Sequence, residues 1–295
     1  MSQKLSKTTI GPFEITSIEC GRFRLDGGAM FGVVPKTLWS KLIESDDKNR
    51  IPMAMRCLLI KSLKEDKLYL VDNGSGTKFN EKMSNIYALD YEHSNLEDSL
   101  KQAGVHPDDI TDMVFSHLHF DHCGGSTFYN ESGELEHRFK NAVYHVNKRH
   151  WENATHPNDR EKASFLKENI EPLKESRRLN LVDDFHSFED GFDSIPVNGH
   201  TTGQHLPRIQ HDDLTLVYAA DLFPTSAHVP VPWVMGYDMY PVLTLQEKRD
   251  ILEKAVENKW YFFMEHDAFN EVITISDDNG RYKAGDSLTL DDIGE

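Results

Sequence analysis

Ser116-His117-Leu118-His119-Phe120-Asp121-His122-Cys123-Gly124-Gly125 is the stretch on which the fold turns. It sets four candidate metal ligands, His117, His119, Asp121 and His122, within six residues. In a loop leaving a strand, that spacing lets alternate side chains converge on one point, while Asp121 and His122 reach a second point nearby. Imidazole with carboxylate is the donor set of Zn²⁺ and related divalent ions. A single histidine is usually just a partly buried polar residue, but the pattern His-x-His-x-Asp-His is very rare by chance in 295 residues. Gly124 and Gly125 carry no Cβ, which allows the backbone to turn tightly and approach the ions. Cys123 reads as a small packing residue.

Working outward, Asp112-Met113-Val114-Phe115-Ser116 is a short apolar run that reads as a buried strand, ending where the histidines begin. Segments 56–63 and 67–72 read as two strands joined by the polar turn Lys64-Glu65-Asp66, with turn residues at 73–76. Residues 95–103 have helical spacing and Gly104 as a stop. Strands are expected at 142–146, 214–220 and 260–264, and a helix at 245–259. Asp221 and Glu265-His266 fall at strand ends. Strands alternating with helices suggest two sheets held between helices. No repeat or Pro/Gly/Ser-rich linker divides the chain, so a single domain over 1–295 is expected, with a mainly helical insertion near 147–176.

The net charge of −17, from 49 acidic and 32 basic residues, repels nucleic-acid phosphates and anionic membranes. No segment approaches the roughly 18 apolar residues of a membrane-spanning helix. Met1 to Ile10 is polar and unlike a signal peptide. Three cysteines, Cys20, Cys57 and Cys123, are odd in number and widely spaced, which fits a reducing compartment. A cytoplasmic protein acting on a small molecule is expected, with neither nucleic acid nor membrane as partner. A homodimer is the base-rate expectation.

The run 116–125 resembles the signature of the metallo-β-lactamase superfamily, and three further pieces match in order. Gly199-His200-Thr201-Thr202-Gly203 resembles the motif that supplies the next histidine. Ala220-Asp221 resembles the bridging aspartate, and Glu265-His266-Asp267 the last histidine. The matches span 57 to 267. The resemblance implies an α/β protein with the αββα sandwich, two mixed β-sheets flanked by helices. It implies one metal on His117, His119 and His200, a second on Asp121, His122 and His266, and Asp221 bridging them. Asp267 reads as a partner to the site or a surface residue, and the ten other histidines, His205 and His211 among them, as surface or packing residues.

Two divalent ions, Zn²⁺ above all with Mn, Fe or Co as alternatives, then support a metal-dependent hydrolase. In this reading a hydroxide bridging them attacks an ester or lactone carbonyl, and Asp121 passes a proton to the leaving group. Length, the Gly27–Gly32 segment and the insertion are most similar to the lactonase and organophosphate-hydrolase-like branch, which includes the quorum-quenching acyl-homoserine lactonases. Those lactonases often place a tyrosine three residues after the bridging aspartate, where this chain has Pro224; Tyr237 and Tyr240 follow in the next loop. The rival readings are a phosphotriesterase or phosphodiesterase using the same ions and, more remotely, a non-catalytic metal-binding protein. Phe223, Trp233, Met235 and Tyr237, and with them Met30 and Phe31, either line an apolar substrate pocket or pack the loops onto the core. His228 either donates to a substrate oxygen or lies on the surface.

Overall fold

The structure, a computed structural model, describes residues 5–294, so Met1–Lys4 of the polar N-terminal stretch lie outside the described residues. One sheet runs in the order Lys7–Ile10, Phe13–Asp26, Arg50–Ser62, Leu68–Val71, Asp112–Val114, Val143–Asn147 and Leu179–Val182. The other runs Ser187–Glu189, Phe192–Val197, Gln204–His211, Leu214–Tyr218, Tyr261–Phe263, Val272–Asp278 and Arg281–Leu288. Both are mixed. The first becomes parallel from Leu68–Val71 onward, and in the second Leu214–Tyr218 pairs in parallel with Tyr261–Phe263.

The long strand Phe13–Asp26 shows how one chain segment serves two cores. Phe13 and Ile15 point between the sheets with Leu58 and Ile60, their neighbours in the next strand. Ile18 and Cys20 point to the outer face with Cys57. A bulge between Glu19 and Gly21 then inserts one residue and reverses the alternation, so that odd-numbered Phe23 also lies on the outer face, opposite Met53. Gly21 takes φ +136°, and a Cβ there would meet the Tyr91 ring at 2.9 Å.

Between the sheets lie Tyr69, Val71 and Val114 of the first and Phe192, Leu206, Leu216 and Tyr218 of the second. The helix Pro241–Asn258 sets Ile251, Leu252 and Ala255 against the second sheet. Leu100 of Leu96–Gln102 and Ile170 and Leu173 of Lys167–Glu175 cover the first. The result is the helix–sheet–sheet–helix sandwich of the α/β class that the sequence pattern suggests. Within the segment 147–176, the helices Lys148–Thr155 and Lys167–Glu175 flank a run of turns over 156–166. No helix among the described residues is long and apolar enough to cross a membrane.

Candidate metal centre

Every candidate ligand sits just past a strand end, on one rim of the sandwich. The strand Asp112–Val114 leads to His117 and His119 and then to the short helix Phe120–Cys123, which carries Asp121 and His122. His200 follows Phe192–Val197, Asp221 follows Leu214–Tyr218, and His266 follows Tyr261–Phe263. Two strand ends turn through left-handed backbone, Asp72 at φ +56° and Ala220 at φ +42°. Such conformations in residues other than glycine cost about 1–3 kcal/mol and concentrate at functional sites. Gly124 and Gly125 serve a close backbone approach of a different kind from the one expected. A Cβ on Gly124 would lie 2.1 Å from the Ser75 carbonyl oxygen and one on Gly125 2.2 Å from that of Asn73. The glycines let the 73–76 loop pack against the ligand loop.

The side chains converge in two groups. His117, His119, His200 and Asp221 offer ligand atoms within 4.8 Å of one another, and so do Asp121, His122 and His266. His119 Nδ1 lies 3.0 Å from His117 Nε2 and 3.1 Å from His200 Nε2. In the second group His122 Nε2 and His266 Nε2 are 3.1 Å apart. Asp221 stands between them, with Oδ2 3.1 Å from His200 Nε2 and Oδ1 3.4 Å from His266 Nε2.

The residues present fit a divalent ion in each group. Asp221 Oδ1 is buried with no hydrogen-bond donor among the described residues. Burial, with His122 and His119 close by, holds His117 well below the usual histidine range, and burial lowers His119 as well. These are neutral imidazoles with a lone pair to give. Burial also disfavours a proton on His200 and His122, but carboxylates outweigh it. Asp221 and Asp238 raise His200 to about 10, and Glu265 and Asp121 raise His122 well above its ordinary value. Buried carboxylates facing converging imidazoles call for positive charge at the centre, and a metal ion supplies it.

Each imidazole is also held from behind, which fixes its tautomer and ring orientation. His200 Nδ1 donates to Asp238 Oδ1 at 3.0 Å, His266 Nδ1 to the Ala54 carbonyl at 2.8 Å and His119 Nε2 to Glu161 Oε1 at 3.2 Å. His122 Nδ1 lies 3.0 Å from both Asp72 Oδ2 and Glu265 Oε2. His150, also fully buried, accepts from the Leu118 N–H and donates to the Thr202 carbonyl, each at 2.8 Å. It staples the ligand loop to the 200–203 loop. Glu265, next to a ligand, and Asp72, ending a strand, carried a signal that sequence reasoning passed over. Asp238, Glu161 and His150 carried none. Asp267 does not touch the ligands; it accepts from Ser226 and Asn270, tying the loop after Asp221 to the loop after His266.

A cavity of about 350 Å³ opens onto Asp121, Asp221 and His266. Met30, Met235 and Tyr237 line it, together with Leu25, Met53, Tyr87 and Phe120, none of which the sequence singled out. Phe31, Phe223, His228 and Trp233 do not reach it. Phe31 is sandwiched between Trp39 and His228, with ring centroids 5.2 and 4.3 Å away, and Trp233 abuts its edge. Phe223 packs on Phe262 inside the core. His228 is buried rather than on the surface, and its two nitrogens are taken by the Met30 carbonyl at 2.9 Å and Thr225 Oγ1 at 2.7 Å. These four residues build the support behind the wall. Cys123 is a buried packing residue whose thiol burial pushes up to about 12.

The loop over the cavity is fastened by one buried cation. Lys248 Nζ donates to the carbonyls of His228, Pro230 and Trp233 at 2.5, 2.9 and 2.9 Å. Burial pushes the amine down to about 7, while the three carbonyls reward the protonated form with a partner for each N–H. Lys248→Met should leave those carbonyls unpaired and lower stability by about 2–4 kcal/mol. It should also raise KM more than it lowers kcat, because Met235 and Tyr237 follow in the same loop. Unchanged denaturant midpoints and KM would show that the clamp is idle.

Residues 56–266 match the Metallo-beta-lactamase superfamily, and the chain belongs to that family. It is similar to the N-acyl homoserine lactonase AiiA of Bacillus thuringiensis subsp. kurstaki, 25% identical over 183 residues, which make up 61% of this chain and 65% of that protein. The match thus spans just under two thirds of that relative's length. A probable metal-dependent hydrolase from Staphylococcus aureus has the same fold, with a TM-score of 0.84 at 29% identity over 95% of this chain and 99% of its own. The dizinc quorum-quenching lactonase AidC shares the fold at a TM-score of 0.78, with 21% identity over 97% of this chain and 98% of its own.

Proposed function

We propose that this chain is a dinuclear metal hydrolase, most suited to zinc, that opens an ester or lactone carbonyl carried on an apolar body. The observation that carries the reading is Asp221 presenting one oxygen to each ligand group at the floor of an apolar-walled cavity. Two divalent ions bound there supply Lewis acidity and water acidified toward neutral pH. His117, His119 and His200 would hold one ion and Asp121, His122 and His266 the other, with an oxygen of Asp221 facing each group. Leu25, Met30, Met53 and Met235 take the apolar part of the substrate and keep bulk water away. Asp121, on the cavity wall, would take the proton given up by the attacking water and pass it to the leaving alkoxide. The similarity to an N-acyl homoserine lactonase supports an acyl-substituted lactone as the substrate class.

Turnover of a panel of acyl-homoserine lactones, aryl esters and aryl phosphotriesters tests the choice. The highest kcat/KM is expected on a lactone; a preference for phosphotriesters would move the reaction to phosphorus. Removing metal with a chelator to below about 0.1 equivalent should abolish turnover, and restoring two equivalents of Zn²⁺ should recover it. Full activity of the stripped protein would end the metal mechanism. The stripped protein should also unfold more easily, since ligands that bind only the folded state stabilise it by about 2.7 kcal/mol at a hundred times Kd.

A further inference from the structure

The turns at 156–166 contain a carboxylate that is far more elaborately anchored than a surface loop requires. Glu161 is 4% exposed. Its Oε1 accepts from His119 Nε2 at 3.2 Å and from Thr201 Oγ1, and its Oε2 accepts from Asn153 Nδ2 at 3.0 Å. Asn158, at the start of the same turns, reaches Oε2 at 3.4 Å. Glu161 therefore ties together the ligand loop, the 200–203 loop and the insertion. The same turns give Arg160, Ala163 and Ser164 to the cavity wall, and Arg160 donates to the Gly236 carbonyl across the cavity mouth.

The support is one-sided. His119 belongs to the group with His117 and His200, whereas the backing of His122 and His266 comes from Asp72, Glu265 and Ala54 of the sheet framework. We infer that Glu161 is a positioning residue that couples the His117/His119/His200 ion site to the cavity wall, so that filling this one site orders the 158–164 turns. The inference rests on the dinuclear reading above. By turning the rear nitrogen of His119 toward itself, Glu161 aims Nδ1 at the point where His117 and His200 converge. Coupling of this kind is reciprocal: whatever the wall contributes to ion affinity, the ion returns as order in the wall. A purely structural glutamate would support both ion sites equally through the fold.

The test titrates metal-free protein with Zn²⁺ against a chromophoric chelator, for the natural chain, Glu161→Gln and Glu161→Ala. The natural chain should take up two equivalents; fewer would overturn the dinuclear reading and this inference with it. Given two, Glu161→Ala should weaken one ion by about 10–100-fold, the range for losing a hydrogen-bond partner of a ligand, and leave the other within about twofold. Glu161→Gln keeps an acceptor oxygen and should weaken the same ion by less, and it serves if the alanine variant does not fold. The second readout is trypsin cleavage after Arg160 and Lys162, on the exposed side of the turns. Zn²⁺ should slow that cleavage in the natural chain and much less in Glu161→Ala. Equal weakening of both ions, no weakening, or undiminished Zn²⁺ protection in the variant would each overturn the coupling.

Discussion

Asp121→Asn is expected to lower turnover by about 10²–10⁴-fold while two equivalents of metal remain bound, the range for removing a general acid–base group. Its carboxylate lies 3.9 Å from His122 Nε2 through Oδ1 and 3.7 Å from His266 Nε2 through Oδ2. It also faces the cavity, where a substrate would sit. An asparagine keeps a carbonyl oxygen for an ion but cannot take up and release a proton. The loss should be larger for lactones with poor leaving alkoxides than for aryl esters, whose leaving groups need no proton. Turnover within about threefold of the natural chain, with metal retained, would remove Asp121 from the chemistry. Loss of one ion would reduce it to a ligand.

The second large effect concerns stability. Arg56→Met should destabilise the fold by about 2–4 kcal/mol in chemical denaturation, because it leaves buried backbone carbonyls without their donor. The guanidinium is 5% exposed. Its Nη1 donates to the carbonyls of Met264 and Asp267 at 3.1 and 2.5 Å and reaches that of Asn270 at 3.3 Å, while Nε lies 3.3 Å from Glu19. Burial works against its charge and Glu19 supports it. Methionine would fill the space but leave the carbonyls without donors and the Glu19 carboxylate without Arg56 beside it. Because the clasped loop presents His266, the variant should also bind its metals more weakly. A denaturant midpoint unchanged from the natural chain would refute the clamp.

Arg56 and Lys248 show where sequence reasoning stops. The seven candidate ligands were legible because each belongs to a short motif at a strand end, and local pattern is what a sequence displays. The strands read at 56–63, 142–146 and 260–264 were legible as compact apolar runs, the first of them inside the longer strand Arg50–Ser62. Phe13–Asp26 was not, since the bulge breaks its alternation midway, nor was the final hairpin Val272–Asp278 and Arg281–Leu288, whose exposed, charged faces mask the pattern. Glu161 lies in a polar stretch and Asp238 in an aromatic one, 42 and 38 residues from the histidines they support, and only the folded chain brings them there. Aromatic residues in the wall and in the core have the same composition. Tyr237 could therefore not be told from Trp233, nor Met30 from Phe31, until stacking and hydrogen bonding had sorted them.

The extra residue at the Glu19–Gly21 bulge acts as a frameshift within a strand. Upstream, odd-numbered side chains are read by the inter-sheet core; downstream, the same parity is read by the outer core and, at Leu25, by the cavity. Ten residues apart, Ile15 and Leu25 would share one face of a regular strand; the extra residue sets the first in the inter-sheet core and the second on the cavity. Deleting Cys20 would remove only the extra residue: Gly21 would follow Glu19 opposite Met55, and Phe23 and Leu25 would keep Met53 and Ile51 as partners, so the strand would lose its bend and not its downstream facing.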